Sequence, residues 1–240
     1  QRDLRDIHSE LLITDLGIVE KRVDKLQKTI AKAGKPLQQE KEELEVLLKC
    51  KDALEKEQDI GSIHLTETQK KLVRSFCFLT QKLKIVVPNI GENQIGDKTI
   101  EKGFSDAGEV VGMCGKFEVE LEGLEEEERG EFMQDMGLEE LSGNKLIRLS
   151  YRIMHLRSFF TVGEDEVRAW TISEGDNAPT AAGKVHTDIE RGFIRAEVVN
   201  FDDLKQLGTM REVKAKGKQR LEGKDYLVKD GDIINFRFSV

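Results

Sequence analysis

The sequence predicts an α/β chain that carries a helical arm ahead of its sheet strands and a mostly β module behind them. Three observations support this. Leu12, Leu16, Val19, Val23, Leu26 and Ile30 recur at spacings of four and three with no proline between them, an a/d seam of about three heptads. Ile85-Val86-Val87 feeds the turn Pro88-Asn89-Ile90-Gly91-Glu92, and a second apolar run, Val110-Val111-Gly112-Met113, leads into Cys114-Gly115. Short apolar runs bounded by turn signals suit buried strands of a parallel sheet. From Ser158 the texture changes to alternating aromatic and β-branched residues, the period-2 signature of strands.

The 240 residues leave room for two modest domains or one domain with appendages. Net charge is −8 with 35% charged residues, but the acidity is local. Residues 101–145 hold fourteen carboxylates against four cations, whereas residues 18–36 hold six cations against two carboxylates. Global acidity therefore does not exclude contact with nucleic acid. Cys50, Cys77 and Cys114 lie far apart with no C-x-x-C spacing. That pattern indicates neither a disulfide framework nor a zinc site, and points to a reducing compartment. No apolar run approaches the ~18 residues needed to span a bilayer, and no signal-peptide pattern is present. The first residue is Gln1 rather than Met, which reads as a fragment of a longer chain.

In chain order, residues 4–33 read as one helix, stopped by Ala33-Gly34-Lys35-Pro36 through a glycine cap and a proline just beyond it. A second helix over about 37–58 has Leu37, Leu44, Leu47 and Leu54 on one stripe, and the short link makes the two antiparallel neighbours. Lys21, Arg22, Lys25, Lys28 and Lys32 face a second helix rich in glutamate. These are solvated flanks pairing across the seam, each pair contributing about 0–1 kcal/mol, or else Lys28, Lys32 and Lys35 form a basic tip for RNA or a partner protein; the sequence leaves both open. Thr66 and Gln69 form a capping box. The helix they start, to about Leu79, presents Leu72, Val73, Phe76 and Leu79 as a face suited to covering a sheet. A strand–helix–strand crossover then joins the two apolar runs in parallel. The helix from about Lys116 to Met136 holds Glu118, Glu120, Glu122 and Glu125 to Glu128, contiguous carboxylates that surround a helix as a solvated face rather than converging on a metal. Another amphipathic helix ends near His155.

Beyond it, Ser158–Val162 and Glu166–Ile172 read as a hairpin around Gly163, followed by a Phe193–Val199 strand and an Asp202–Leu207 helix. Asp225–Val228 and Asp232–Val240 read as a closing strand pair around Lys229-Asp230-Gly231. Two hairpins around a helix suggest a small β-grasp module. The predicted divisions are 1–65 for the helical arm, 66–156 for the parallel α/β part and 157–240 for the β module.

In parallel sheets, ligands bind just beyond the carboxyl ends of the strands. Asn89 and Glu92 stand there, with an amide and a carboxylate able to read a base edge, and Cys114-Gly115 would lie beside Asn89 with small residues that let backbone approach a base. A phosphate loop of the form G-x-x-x-x-G-K-[ST] is absent from these residues. No nucleophile–His–carboxylate arrangement assembles. His186-Thr187-Asp188 reads as a turn in which Thr187 and Asp188 cap backbone N–H groups rather than as a metal or catalytic cluster. Arg211, Lys214, Lys216, Lys218, Arg220 and Lys224 form either a solvated loop or an RNA-contacting patch.

Several of these segments together resemble one family. DIHSELLITDLGIVEKRV at 6–23, PNIGE at 88–92, GLEEEERGEFMQDMGL, FFTVGEDEVRAWTISEGDNAPTAAGKVHTDIERGFIRAEV and GKDYLVKDGDIINFRF resemble the Obg-like, YchF-type ATPases of the translation-factor class of P-loop GTPases. The likeness covers essentially the whole chain. It implies a partial P-loop nucleotide domain with an inserted antiparallel coiled-coil hairpin, closed by a ubiquitin-like TGS domain of β-grasp fold. It also implies that N-x-x-E replaces the guanine-selecting N-K-x-D, so that Asn89 and the Ile90 backbone contact adenine, Glu92 helps set base choice, and Cys114-Gly115 match the base-supporting loop. The implied parent is a translation- and redox-associated, ribosome-binding cytoplasmic enzyme that hydrolyses ATP in preference to GTP with Mg²⁺. Its P-loop and magnesium ligands are expected ahead of Gln1, so these residues alone should not hydrolyse ATP and contribute no catalytic side chain. ATP and the ribosome or ribosomal RNA are the implied partners, with no DNA or membrane indicated. Pro88 departs from the small non-proline residue usual in the family. The alternative is a non-catalytic RNA- or ribosome-binding module using arm and TGS domain; a weaker reading makes both tRNA-recognition appendages of a synthetase-like protein.

Overall fold

The computed structural model describes residues 2–32, 38–104, 108–163 and 166–239. The chain divides into two compact units, Gln1–Ser142 and Gly143–Val240.

The first unit begins with helices α1 (Arg2–Lys32) and α2 (Gln38–Glu55); the predicted stop at 33–36 lies outside the described residues. Leu12, Val19, Val23 and Leu26 of α1 pack with Val46, Leu47, Cys50 and Leu54 of α2 in one buried cluster. Arg22 donates two hydrogen bonds to Glu43, at 2.7 and 2.8 Å, and Lys51 pairs with Glu20 at 3.0 Å. The later residue of one helix meets the earlier residue of the other, so the helices run antiparallel. Of the five α1 cations expected to pair across the seam, Arg22 alone does so among the described residues.

Thr66 caps α3 (Glu67–Val73) with the predicted capping box, its hydroxyl accepting from Gln69 N and the Gln69 side chain accepting from Thr66 N. The helix does not continue to Leu79. It tightens into a 3₁₀ turn at Arg74–Phe76 and stops at Cys77, whose φ is +52°. Asp15 supplies the reason. Its carboxylate, fully buried on α1, accepts from Leu79 N at 2.9 Å and from Thr80 N and Thr80 Oγ1, both at 2.7 Å. Backbone donors captured by another helix cannot serve a helix of their own. The expected sheet-covering face is likewise revised: Val73, with Leu72 and Phe76 beside it, packs into the α1–α2 cluster.

Strands β1 (Ile85–Val86) and β2 (Glu109–Val110) pair in parallel, with α4 (Lys98–Lys102) in the crossover. The predicted long acidic helix is two, α5 (Gly115–Glu122) and α6 (Glu126–Asp135), interrupted where Gly123 caps the first and Glu125 starts the second. Phe117 and Leu121 of α5 bury with Cys114 against Leu124, Met133, Leu138 and Leu141. Glu120, Glu122 and Glu125 to Glu128 are exposed, whereas half-buried Glu118 accepts from Ser142 N at 2.7 Å.

The second unit follows α7 (Ser142–Ile153) with β3 (Leu156–Val162), β4 (Val167–Ser173), α8 (Ala178–Val185), α9 (Thr187–Arg191), β5 (Phe193–Asn200), α10 (Phe201–Leu207), α11 (Met210–Ala215), β6 (Arg220–Glu222) and β7 (Asp232–Phe238). The sheet order is β4-β3-β7-β5-β6. β7 runs parallel to β3 and antiparallel to β5. One face packs Phe159, Ile172, Ala196, Val198, Ile234 and Phe236 against the alanines of α8; the other packs Phe160, Val199 and Ile233 against Val213, Leu204, Leu207 and Met210 of α10 and α11. Three expectations change here. Asp225–Val228 is no strand of a closing hairpin, because Leu227 only bridges Asn177 and β5 takes β6 as its edge partner. The stretch 211–220 is not a loop, since it contains α11 and the start of β6. At 186–188 the capping group is His186 itself, whose Nδ1 accepts from Asp188 N at 3.2 Å.

Candidate functional site

The site grows from the way β1 ends. Val111 N donates to Val86 O at 3.0 Å, Met113 N to Pro88 O at 3.0 Å and Ile90 N to Met113 O at 2.9 Å. Val86 faces Val110 and Asn89 faces Met113 with one unbroken offset. Pro88 has no N–H to return toward the second strand, so regular pairing lapses after Val86 and resumes as a single bridge at Asn89. The chain is thereby released into a turn at the carboxyl end of the strands, where parallel sheets hold ligands.

That turn is stapled at both ends to the first turn of α5. Gly115 N donates to Asn89 Oδ1 at 3.2 Å, and Lys116 Nζ donates to Glu92 Oε1 at 2.7 Å. Between them, Gly91 N donates to Gln94 Oε1 at 3.0 Å. From the far side Glu101 Oε1 accepts from Gly112 N at 3.2 Å, steadying the strand that leads to Cys114. The hydrogen bond to Glu92 is the main reason the Lys116 ammonium is held above its ordinary pKa, with the charges of Glu92 and Glu120 adding to it.

The structure thus brings Asn89, Ile90, Glu92, Cys114 and Gly115 together, and it refines what each offers. Ile90 N is already used within the ladder, and its side chain packs against the buried cluster of Cys114, Phe117 and Leu121; its carbonyl remains. The Cys114 thiol is buried, so this residue contributes backbone as the cap of α5. Exposed Asn89 and Glu92 present an amide nitrogen and a second carboxylate oxygen, a donor and an acceptor. That is the equipment for reading the edge of a planar heterocycle. Lys116 is the residue sequence reasoning passed over. Its signal was a cation in the first turn of a helix, where the dipole disfavours positive charge.

The basic residues singled out in the sequence do not join this turn. Lys28 and Lys32 lie with Lys21 and Lys25 on one exposed stripe of α1, around a shallow depression that also includes Asp24 and Thr29. Among the described residues none of these four lysines has a carboxylate within ion-pair distance; Lys35 lies outside the described residues. In the second unit Lys214 and Lys216 are exposed near the end of α11, and Lys218 pairs with Asp203 at 3.2 Å. Arg220 is engaged with Tyr226 Oη at 3.0 Å and lies 3.5 Å from buried Asp232. Among the described residues no group of three or more His, Cys, Asp or Glu side chains converges as a metal site, and no helix is long and apolar enough to cross a membrane.

Residues 156–239 match the family described as YchF-GTPase_C, a protein of unknown function (DUF933). The whole chain is similar to the "Ribosome-binding ATPase YchF" of Bacillus subtilis, 42% identical over 249 residues covering 99% of this chain and 66% of that protein. It is likewise similar to the protein of the same description from Escherichia coli O157:H7, 41% identical with the same coverage. Among solved structures the Schizosaccharomyces pombe YchF GTPase superposes with a TM-score of 0.83 at 33% identity, over 98% of this chain and 65% of that one. The chain spans 66% of the length of the curated relatives it matches.

Proposed function

This chain belongs to the YchF family of Obg-like GTPases, and from that premise we propose that it supplies the base-reading and ribosome-docking parts of a cytoplasmic ATP hydrolase that prefers ATP to GTP. The observation that carries the reading is the Asn89–Glu92 turn, stapled at both ends to α5 beside the carboxyl ends of β1 and β2. A loop fixed in this way is preorganised, so little conformational entropy is lost when a planar base enters. Asn89 holds the ring edge, the Ile90 carbonyl and Gly115 line it, and Glu92 accepts from the amino group of adenine. The reading gives these 240 residues the base alone: no G-x-x-x-x-G-K-[ST] occurs among them, and among the described residues no set of carboxylates converges.

The α1–α2 pair serves as the family's coiled-coil arm within a division at 1–65, and 66–156 as the nucleotide-domain part. The module at 157–240 serves as the TGS domain, a reading supported by the order β4-β3-β7-β5-β6 with parallel β3 and β7. Photolabelling with 8-azido-ATP tests the base site. The label should fall on the peptides around Ile90 and Cys114 and be displaced by ATP; labelling confined to other peptides refutes it.

A second reading has its own observation. The stripe Lys21, Lys25, Lys28 and Lys32 carries no paired carboxylate among the described residues, as a surface that docks on ribosomal RNA would. Cosedimentation with ribosomes should then weaken steeply with salt, and each stripe lysine replaced by glutamine should lower the logarithmic salt slope by about 1. Equal slopes for the parent and a Lys28→Gln/Lys32→Gln chain would dismiss the stripe.

A further inference from the structure

The ion pair between Lys116 and Glu92 suggests a further role inside the proposed base site, on whose reading this inference rests. A lysine in the first turn of an eight-residue helix faces the positive end of the helix dipole and is mildly unfavourable there. Here its ammonium reaches back to the turn after β1 and donates to Glu92 Oε1 at 2.7 Å, with Glu120 Oε1 next nearest at 3.7 Å. One oxygen of the carboxylate is therefore engaged before any ligand arrives.

We propose that Lys116 is a specificity-determining residue that excludes guanine by holding Glu92 Oε1. A carboxylate reads guanine by accepting from two N–H donors side by side, one bond to each oxygen. Adenine presents a single exocyclic amino donor on its corresponding edge. With Oε1 bonded to Lys116, only Oε2 faces the ring. Adenine's one donor is satisfied by Oε2, whereas guanine's second donor must share Oε1 with the Lys116 ammonium, which holds that oxygen out of the side-by-side geometry and leaves the second bond weaker. Buried donors without partners are what give polar sites their discrimination. Lys116 thus acts through Glu92 as a positioning residue, and covering the pair with a base strengthens it by removing solvent.

The test is titration of the 240-residue chain with AMP and with GMP, following the amide resonances of Ile90 and Gly115. Lys116→Met frees Oε1, and the preference for AMP over GMP should fall roughly tenfold, the worth of one charge-assisted hydrogen bond. Lys116→Arg should retain the preference, and the Glu92 carboxylate carbon should shift on adding AMP in the parent and the Arg form but behave differently in the Met form. Asn89→Ala is the companion variant. If Asn89→Ala loses both nucleotides while Lys116→Met leaves the preference unchanged, the role of Lys116 is overturned and the base site stands. If Asn89→Ala binds both as the parent does, or the parent shows no shift with AMP, the base site falls and the role of Lys116 with it. Lys116 is highly exposed at 72%, and unchanged resonances outside α5 confirm that each variant is folded.

Discussion

Replacing Asp15 with asparagine should unfasten α1 from the segment that leads into β1. The carboxylate accepts from Leu79 N through Oδ1 and from Thr80 N and Thr80 Oγ1 through Oδ2. Around the same point Gly61 N donates to Thr80 O at 3.1 Å, and Ile60 N donates to Thr80 Oγ1 at 3.3 Å. An asparagine of the same shape has only one acceptor oxygen. Turned toward Thr80 it keeps two bonds and points its NH₂ at Leu79 N–H, donor against donor. One charge-assisted bond is lost, about 1.5–3 kcal/mol, and a buried N–H loses its partner, about 1–3 kcal/mol. Relief of the buried charge offsets part of this, leaving roughly 2–4 kcal/mol against the first unit. Two units make a single global transition an unsafe measure, so hydrogen exchange at the Leu79 and Thr80 amides is the assay. Both should lose protection by a factor of about 30 or more, which is what 2 kcal/mol means. Protection within a factor of two of the parent would refute the assignment of Asp15 as the organising acceptor.

Three further outcomes are expected. Burial and the hydrogen bond to Asp232 push the Tyr226 phenol up to about 12; a pKa raised on folding contributes stability that is whole below about pH 10 and is lost as pH climbs through 12. Tyr226→Phe should abolish that alkaline loss and cost about 1–2 kcal/mol at neutral pH, checked by urea unfolding at neutral and alkaline pH. Iodoacetamide should modify exposed Cys77 first and reach buried Cys50 and Cys114 only on unfolding, because burial, with the charge of Asp15 adding, raises the Cys50 thiol to about 11 and only the thiolate reacts; early labelling of Cys50, read by mass spectrometry of the peptides, would contradict its packing. Gly192→Ala should cost about 1–3 kcal/mol, since a Cβ there would collide with the carbonyl oxygen of Ser239, and the loss should appear as faster exchange at Ser239 N, which donates to Gly192 O at 3.0 Å.

What could be read from sequence was whatever is carried by spacing. The a/d seam from Leu12 to Leu26, the Thr66–Gln69 box and the pairing of 156–162 with 167–173 depend on residues a few positions apart, and each appears where its periodicity or capping chemistry places it, while Ile30, predicted to extend the seam, stays outside the buried cluster. Misreadings arose where a distant group outbid a local preference. Leu79 looked helical until Asp15, far away in sequence, captured its N–H. Asp230-Gly231 is a strong hairpin signal, yet Asp230 Oδ1 accepts from Ser158 N at 2.7 Å and Gly231 N donates to Ser158 O at 2.8 Å. The turn is thereby tied to the beginning of β3, and the strand leaving it runs parallel to β3 instead of folding back on 225–228. The candidate site shows both behaviours at once. Its residue types were legible at the end of an apolar run, but their usefulness depends on Gly115 N meeting Asn89 and on Lys116 meeting Glu92, contacts fixed by the register of two very short strands. A slip of one residue would turn every side chain to the opposite face. Pro88 could have caused such a slip. It does not, because the hydrogen bond it omits is followed at once by the Asn89–Met113 bridge in the same offset as Val86–Val110, so the proline opens the turn without moving the residues that close on it.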